Sequence, residues 1–253
     1  MSEVLLRASQ LTKRFGGLAA VENVSLELAR DTIHAVIGPN GAGKSTLTNL
    51  LSGDLPASSG TVVIGSQNVT GWTPEKISRQ GLGRSYQKTN IFLPFSVWDN
   101  VFLAAQSRDP QQPWNPMRWL RPASRSAAAL RRCTAAIELA GLQDRRAAIA
   151  STISHGEQRQ LEVAMTLATE PQVLLLDEPL AGMGTSEAEN MVALLLRIKK
   201  DHAILLVEHD MDAVFTLADA LTVMVNGQVI ASGVPADIRN DATVQAAYLG
   251  EEH

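Results

Sequence analysis

The spacing of hydrophobic positions changes several times along the chain, and each change marks an element. Near the N-terminus Val24, Leu26 and Leu28 alternate with Ser25 and Glu27, the pattern of a strand with one buried face. Residues 4–14 and 20–28 are therefore predicted to be strands of an antiparallel β region. Ile33-His34-Ala35-Val36-Ile37 is a short apolar run, expected of a buried strand, and residues 47–51 read as a helix ending near Gly53. A further strand is predicted over 60–65 with turns at both ends. A short helix should start at Pro74, and a strand from Gly83 through Tyr86 should end at Gln87.

The pattern then turns helical. Ser96-Val97-Trp98-Asp99 places an acid three residues after a serine, a helix-start signature. Residues 126–140 read as a helix stopped by Gly141. Between them, Pro110, Pro113, Trp114, Pro116, Trp119 and Pro122 crowd a segment that cannot be one regular element. Its tryptophans either pack locally or form a contact surface. Ser154 opens another helix running through Leu167, with Glu157 three residues on. Beyond it, two continuous apolar runs, 172–176 and 203–207, suit the centre of a parallel sheet. Asn226-Gly227 between two β runs is a strong hairpin signal, and residues 235–249 read as closing helices. The fold class expected is α/β, with a mainly parallel sheet, an N-terminal antiparallel β region and an inserted helical subdomain. The expected limits are 1–87 and 161–253 for the α/β core and 88–160 for the helical insert.

Composition narrows the classes of function. The 253 residues, 45% of them hydrophobic, suffice for a large core. A net charge of -4 argues against a nucleic-acid partner, which usually brings a basic excess. The single cysteine, Cys133, excludes an intramolecular disulfide and a multi-cysteine metal site, and fits a reducing compartment. No apolar run approaches the roughly 18 to 20 residues that span a bilayer. Met1-Ser2-Glu3-Val4 lacks the basic-then-apolar order of a signal peptide. A cytosolic chain is expected, any work at a membrane depending on another chain.

The candidate chemistry centres on Gly38-Pro39-Asn40-Gly41-Ala42-Gly43-Lys44-Ser45-Thr46. Gly, four residues, then Gly-Lys-Ser is the phosphate-binding loop pattern, and here it lies between a predicted strand and a predicted helix. Its glycines let the main chain turn tightly, and the helix N-terminus offers unpaired N–H groups to an anion. Residues Asn40, Gly41, Ala42, Gly43, Lys44, Ser45 and Thr46 are candidate nucleotide contacts. Lys44 is expected at the β- and γ-phosphates, and the Ser45 hydroxyl at Mg²⁺. A glycine turn with an incidental lysine is the plainer alternative, which the flanking context disfavours.

Asp177 and Glu178 end one apolar run, where ligands bind in parallel sheets. Asp177 is a candidate to help hold Mg²⁺, and Glu178 to polarise the attacking water as general base. Glu208-His209-Asp210 ends the other run, and His209 is a candidate γ-phosphate contact, with a structural role equally open. Gln87, at a strand end, is a candidate metal ligand through its amide oxygen. Phe15 is either a core aromatic or a platform for adenine. Ser154 and Glu157 form an ordinary capping box, or else Ser154 and the N–H of Gly156 face an anion.

With these residues in place, the chain resembles the ATP-binding subunit of ABC transporters over essentially its whole length. The resemblance rests on Phe15, Gly38 to Thr46, Gln87, Ser154 to Gln158, Asp177-Glu178 and His209 in one order. It implies an ATPase working with ATP and Mg²⁺, as a head-to-tail dimer that closes on two ATP molecules. Ser154 and Gly156, with Glu157 beside them, would meet the γ-phosphate of ATP held by the opposite subunit. Ala181-Gly182-Met183 would lie in the subunit-crossing loop, and residues 88–94 in the region meeting a membrane subunit.

The finer resemblance is to branched-chain amino-acid importers, in their first ATPase subunit. It rests on Arg14-Phe15-Gly16-Gly17-Leu18, Tyr86-Gln87, Ile91-Phe92, Leu180-Ala181-Gly182-Met183 and Tyr248-Leu249-Gly250. It implies integral membrane permeases, a second ATPase subunit forming a homo- or heterodimer, and indirectly a periplasmic solute-binding protein. The expected location is the cytoplasmic face of the inner membrane, held there by the permeases. Departures are visible: Ile153-Ser154-His155-Gly156-Glu157 differs from the commonest Leu-Ser-Gly-Gly-Gln at three places, and Thr185 stands where relatives often have proline. An ATPase for lipid or lipopolysaccharide export, and a soluble ATP-gated clamp or assembly factor, are the alternative readings.

Overall fold

The computed structural model describes residues 3–85, 90–109 and 126–249. The expected metal ligand Gln87 and the Pro/Trp-rich stretch 110–122 lie outside the described residues. The chain divides into two compact units. One comprises Met1–Arg84, Gln172–Leu180 and Leu195–His253, the other Ser85–Pro171 and Ala181–Leu194.

The first unit is built on two sheets. Strands β1 (Val4–Phe15) and β2 (Leu18–Ala29) form a hairpin, with β4 (Ser59–Ile64) and β5 (Gln67–Asn68) completing a four-stranded antiparallel sheet in the order β2-β1-β4-β5. The predicted alternation in β2 is observed, since Val24, Leu26 and Leu28 are buried while Ser25 and Glu27 are exposed. The two-residue β5 is too short to carry a period and was not predicted.

The second sheet also uses β3 (Thr32–Ile37), β6 (Leu82–Arg84), β7 (Val173–Asp177), β8 (Ala203–Val207), β9 (Ala220–Val225) and β10 (Gln228–Gly233). Its order is β10-β9-β3-β8-β7-β6. The pairs from β9 through β6 are all parallel, and β10 returns antiparallel to β9. Every residue of β7 and β8 is buried, which explains why both read as unbroken apolar runs. Helix α1 (Lys44–Ser52) joins both sheets in one core, with Leu47 and Leu51 packed among Leu6, Leu26, Val36, Leu175 and Leu205. The predicted hairpin is present too, with Asn226 and Gly227 both at positive φ between β9 and β10. Helix α2 (Pro74–Arg79) and the helices α7 (Met211–Leu217), α8 (Pro235–Arg239) and α9 (Ala242–Leu249) complete the α/β pattern. Parallel strands with helical crossovers make this the mixed α/β fold that the sequence predicts.

The second unit is helical. Helices α3 (Val97–Gln106), α4 (Ala127–Ala140) and α5 (His155–Leu167) pack on one another. Val97, Val101, Ala129, Cys133, Ala136, Leu161 and Ala164 are buried within it. Burial pushes the Cys133 thiol up to about 12, so it stays a protonated apolar filler. Both predicted capping boxes form, at Ser96/Asp99 and at Ser154/Glu157. Gly141 ends α4 in the left-handed conformation, as expected. Helix α6 (Thr185–Ile198) begins in this unit. Among the described residues, no helix is long and apolar enough to cross a membrane.

Candidate functional site

Parallel pairing sets the site. Because β3, β8 and β7 are neighbours running in one direction, their C-terminal ends share one edge of the sheet. The loop Gly38–Gly43 leaves β3 there, Asp177 and Glu178 end β7, and Glu208 and His209 follow β8. Such an edge is where open α/β sheets bind ligands.

The loop depends on glycine for close backbone approach. A Cβ on Gly38 would stand 2.1 Å from the carbonyl oxygen of Met224, and one on Gly43 would stand 2.4 Å from that of Ala20. Gly43 also caps α1 at a φ of 101°. The main chain thus enters the helix pressed against β9 and β2, and the first turn of such a helix offers unpaired N–H groups to an anion. Ala42 is anchored at both ends, its N–H donating to Pro39 O at 3.1 Å and its carbonyl accepting from Gly227 N at 3.0 Å. The Lys44 ammonium bends back over the loop and donates to the carbonyls of Gly38 and Pro39, at 2.5 and 3.0 Å. Ser45 and Thr46 fall in the first turn of α1.

Asp177 is buried at the end of β7. Burial pushes its carboxyl above the usual range; the charges of Arg84 and Lys44 oppose that shift and Glu178 adds to it. The next residue, Glu178, takes a left-handed φ of 49° while its N–H donates to Val207 O at 2.8 Å. A glutamate in that region is unusual and is held there by the flanking ladder. Among the described residues no three His, Cys, Asp or Glu side chains gather as a metal cage. One buried carboxylate beside a serine-bearing loop is instead the donor set that suits Mg²⁺, which takes phosphate and water oxygens for most of its shell.

Two residues not singled out by the sequence prove central. Glu208 is 1% exposed and its carboxylate accepts from Leu180 N at 2.9 Å and from His209 N at 3.2 Å. Burial raises its carboxyl, opposed by those two hydrogen bonds. Arg84, on β6, donates to Ser52 Oγ (2.6 Å), Asp54 Oδ2 (2.8 Å) and Thr48 Oγ1 (3.2 Å), and lies 4.0 Å from Asp177 Oδ2. It therefore ties the far end of α1 to the acid of β7. His209 itself is exposed, its Nδ1 3.8 Å from Glu208 Oε2. Phe15 is 51% exposed at the β1–β2 hairpin, which excludes the core alternative and leaves its ring available, with Lys13 Nζ 5.1 Å from its centroid.

In the helical unit, the start of α5 is a small donor cluster. Ser154 Oγ accepts from Glu157 N at 3.2 Å, and Glu157 Oε2 accepts from Ser154 N at 2.9 Å. Arg145 Nε holds the other Glu157 oxygen at 2.7 Å. That leaves the Ser154 hydroxyl proton and the Gly156 N–H pointing to a common acceptor, the carboxylate of Glu187 at 2.7 and 3.1 Å. The signal for Glu187 in the sequence is faint: an acid three residues after Gly184 at a helix start.

A protein-family model described as "ABC transporter" matches residues 21–181, and one described as "Branched-chain amino acid ATP-binding cassette transporter" matches residues 228–253. The chain is 38% identical to the high-affinity branched-chain amino acid transport ATP-binding protein LivG of Salmonella typhimurium, over 99% of this chain and 100% of that one. It is 35% identical to the BraF protein of the same description from Pseudomonas aeruginosa, over 99% and 100%. Among solved structures, the ADP conformation of an ATP-binding cassette of an ABC transporter matches with a TM-score of 0.86 and 28% identity, covering 99% of this chain and 100% of that one.

Proposed function

The chain belongs to the ABC transporter family, as an ATP-binding ATPase whose hydrolysis is coupled to transport, and from that premise we propose that it powers uptake of branched-chain amino acids or a related small polar solute. The observation that carries this finer reading is the C-terminal match at 228–253 to the branched-chain amino acid cassette, together with the full-length likeness to LivG. The dimer is proposed to close head to tail on two ATP molecules and to act on separate membrane permeases at the cytoplasmic face. A second, related ATPase subunit and a periplasmic solute-binding protein complete the proposed system. The division into an α/β core and a helical insert is likewise proposed as the family's arrangement.

The chemistry proposed is in-line attack of water on the γ-phosphate. Glu178 takes the proton of the attacking water on its carboxylate. The Lys44 ammonium moves from the Gly38 and Pro39 carbonyls onto the β- and γ-phosphates, and loop N–H groups from Asn40 to Thr46 hold the remaining oxygens. His209 donates to the γ-phosphate, and adenine stacks on Phe15. Mg²⁺, held by Ser45, Asp177 and Gln87, would supply charge neutralisation on the phosphates. Ser154 and Gly156, with Glu157 fixing their cap, would reach the γ-phosphate of the opposite subunit.

The test is affinity capture of the chain from detergent-solubilised native membranes with identification of what accompanies it. Two multi-span permeases and a second ATPase support import. Permeases of a lipid-export system, or soluble proteins alone from fully extracted membranes, overturn it.

A further inference from the structure

The cradle at the start of α5 already holds an anion, and that anion belongs to the same chain. Glu187 Oε1 lies 2.7 Å from Ser154 Oγ and 3.1 Å from Gly156 N. Its other oxygen accepts from Gly184 N at 3.4 Å, at the start of α6. The fit is close: a Cβ on Gly156 would stand 2.7–2.8 Å from the Cβ, Cγ and Cδ of Glu187. Glycine at 156 is thus what admits this side chain. The three hydrogen bonds hold the Glu187 carboxyl below the usual carboxylate range, the Ser154 bond foremost, so the occupant is an anion at neutral pH.

We propose that Glu187 is an internal competitor of ATP for the Ser154–Gly156 cradle, and so sets the ATP concentration at which the cassette engages nucleotide. This role presupposes the trans γ-phosphate contact proposed above for Ser154 and Gly156. Both donors converge on one anionic carboxylate oxygen, the same kind of acceptor that a terminal phosphate oxygen offers. The hydroxyl has one proton and the amide has one, so both anions cannot be served together. Repulsion between a retained carboxylate and an arriving phosphate adds to the exclusion. Glu187 sits in the first turn of α6, four residues after Met183, so its release frees the chain just beyond Ala181-Gly182-Met183 as the cradle fills. In this role one residue reports phosphate arrival from the start of α5 to the segment leading into α6. Glu187 acts through Ser154 and Gly156 and is a positioning residue.

The experiment is an ATP titration of hydrolysis by the full chain, comparing wild type, E187Q, S154A and the S154A/E187Q pair. E187Q keeps the side chain's shape and removes its charge. The half-saturating ATP concentration should fall by about three-fold, in proportion to a charge at a helix N-terminus, with the maximal rate much less altered. That gain should vanish in the S154A background. A gain that persists there, or no change in E187Q while S154A is impaired, overturns the competitor role and leaves the trans contact standing. An unimpaired S154A overturns the trans contact itself, and the competitor role with it. A second measurement needs no nucleotide or dimer: the Gly156 amide proton resonance of the apo chain. It should move upfield in E187Q as the charged acceptor is lost; an unmoved resonance overturns the contact.

Discussion

The carboxylate of Glu208, at the end of β8, accepts the backbone N–H of Leu180 at 2.9 Å, joining the segment after β7 to the next strand. Its other oxygen accepts from His209 N at 3.2 Å. One buried side chain therefore braces both the turn that follows Glu178 and the proposed γ-phosphate contact. Replacement by alanine leaves two inward N–H groups without that partner, at a cost of about 1–3 kcal/mol. E208A should lower the ATPase rate about ten-fold or more while leaving nucleotide affinity nearly unchanged, as expected for a positioning defect at the γ-phosphate end. An affinity loss as large as the rate loss would refute that placement.

Glu208 also gives a pH signature. Burial raises its carboxyl in the folded state, so the folded protein holds that proton more tightly than the unfolded chain does. The corresponding stability is fully present below the unfolded carboxylate's range and is lost as pH rises through the folded value. Urea unfolding of wild type and E208Q from about pH 4 to about pH 7.5 should show wild type losing stability relative to the variant as pH rises. A flat or opposite difference would mean that the hydrogen bonds outweigh burial.

Glu178→Gln keeps size and backbone and removes the proposed base. ATP binding should survive, and hydrolysis should fall by roughly a hundred-fold or more. Turnover close to wild type would remove Glu178 from the role. In this background Ser154→Ala should weaken ATP-driven dimerisation, read by light scattering; a dimer equally stable with and without the hydroxyl would count against the trans contact.

Gly38→Ala tests the loop without touching charge. Its Cβ would meet the Met224 carbonyl, which belongs to a central strand and has little room to yield. A loss of about 2 kcal/mol or more in unfolding free energy is expected, with loss of nucleotide binding. A fully stable variant would show that β9 can retreat from the loop.

Arg84→Lys separates charge from shape. The guanidinium reaches Ser52, Asp54 and Thr48 at once, which an ammonium cannot reproduce. Lysine should fail to restore stability, leaving most of the roughly 3 kcal/mol lost when one partner of a buried pair is removed. Full rescue by lysine would reduce the network to simple charge neutralisation.

How much of this was readable in the chain depends on whether the signal was local. The β2 alternation, the apolar runs of β7 and β8, the two serine caps and the Asn226-Gly227 hairpin each lie within a few residues, and each was read directly. Helix α6 stands outside the predicted elements although Met191, Leu194, Leu195 and Ile198 recur at helical spacing and are buried. Phe15 carried two readings because exposure is a tertiary property that position cannot supply. Glu208 and Arg84 were opaque for a deeper reason. Their meaning lies in partners separated by 28 and 36 residues, and no short window contains both ends of such bonds. The separation of 33 positions from Ser154 to Glu187 hid that contact in the same way.

The order β9-β3-β8 has a consequence for the protein's birth on the ribosome. Strand β3 is made early, yet both strands that flank it belong to the last fifth of the chain, at 203–207 and 220–225. Until those residues emerge, the phosphate loop has no sheet edge beneath it and Gly38 has no Met224 carbonyl to rest against. Closing such distant pairs carries the loop-closure penalty that slows parallel sheets. A nascent chain arrested before residue 220 would carry the complete loop sequence and lack the support that makes it a nucleotide site. Support for the loop therefore depends on strands made long after it, and is complete only once residues 220–225 have paired with β3.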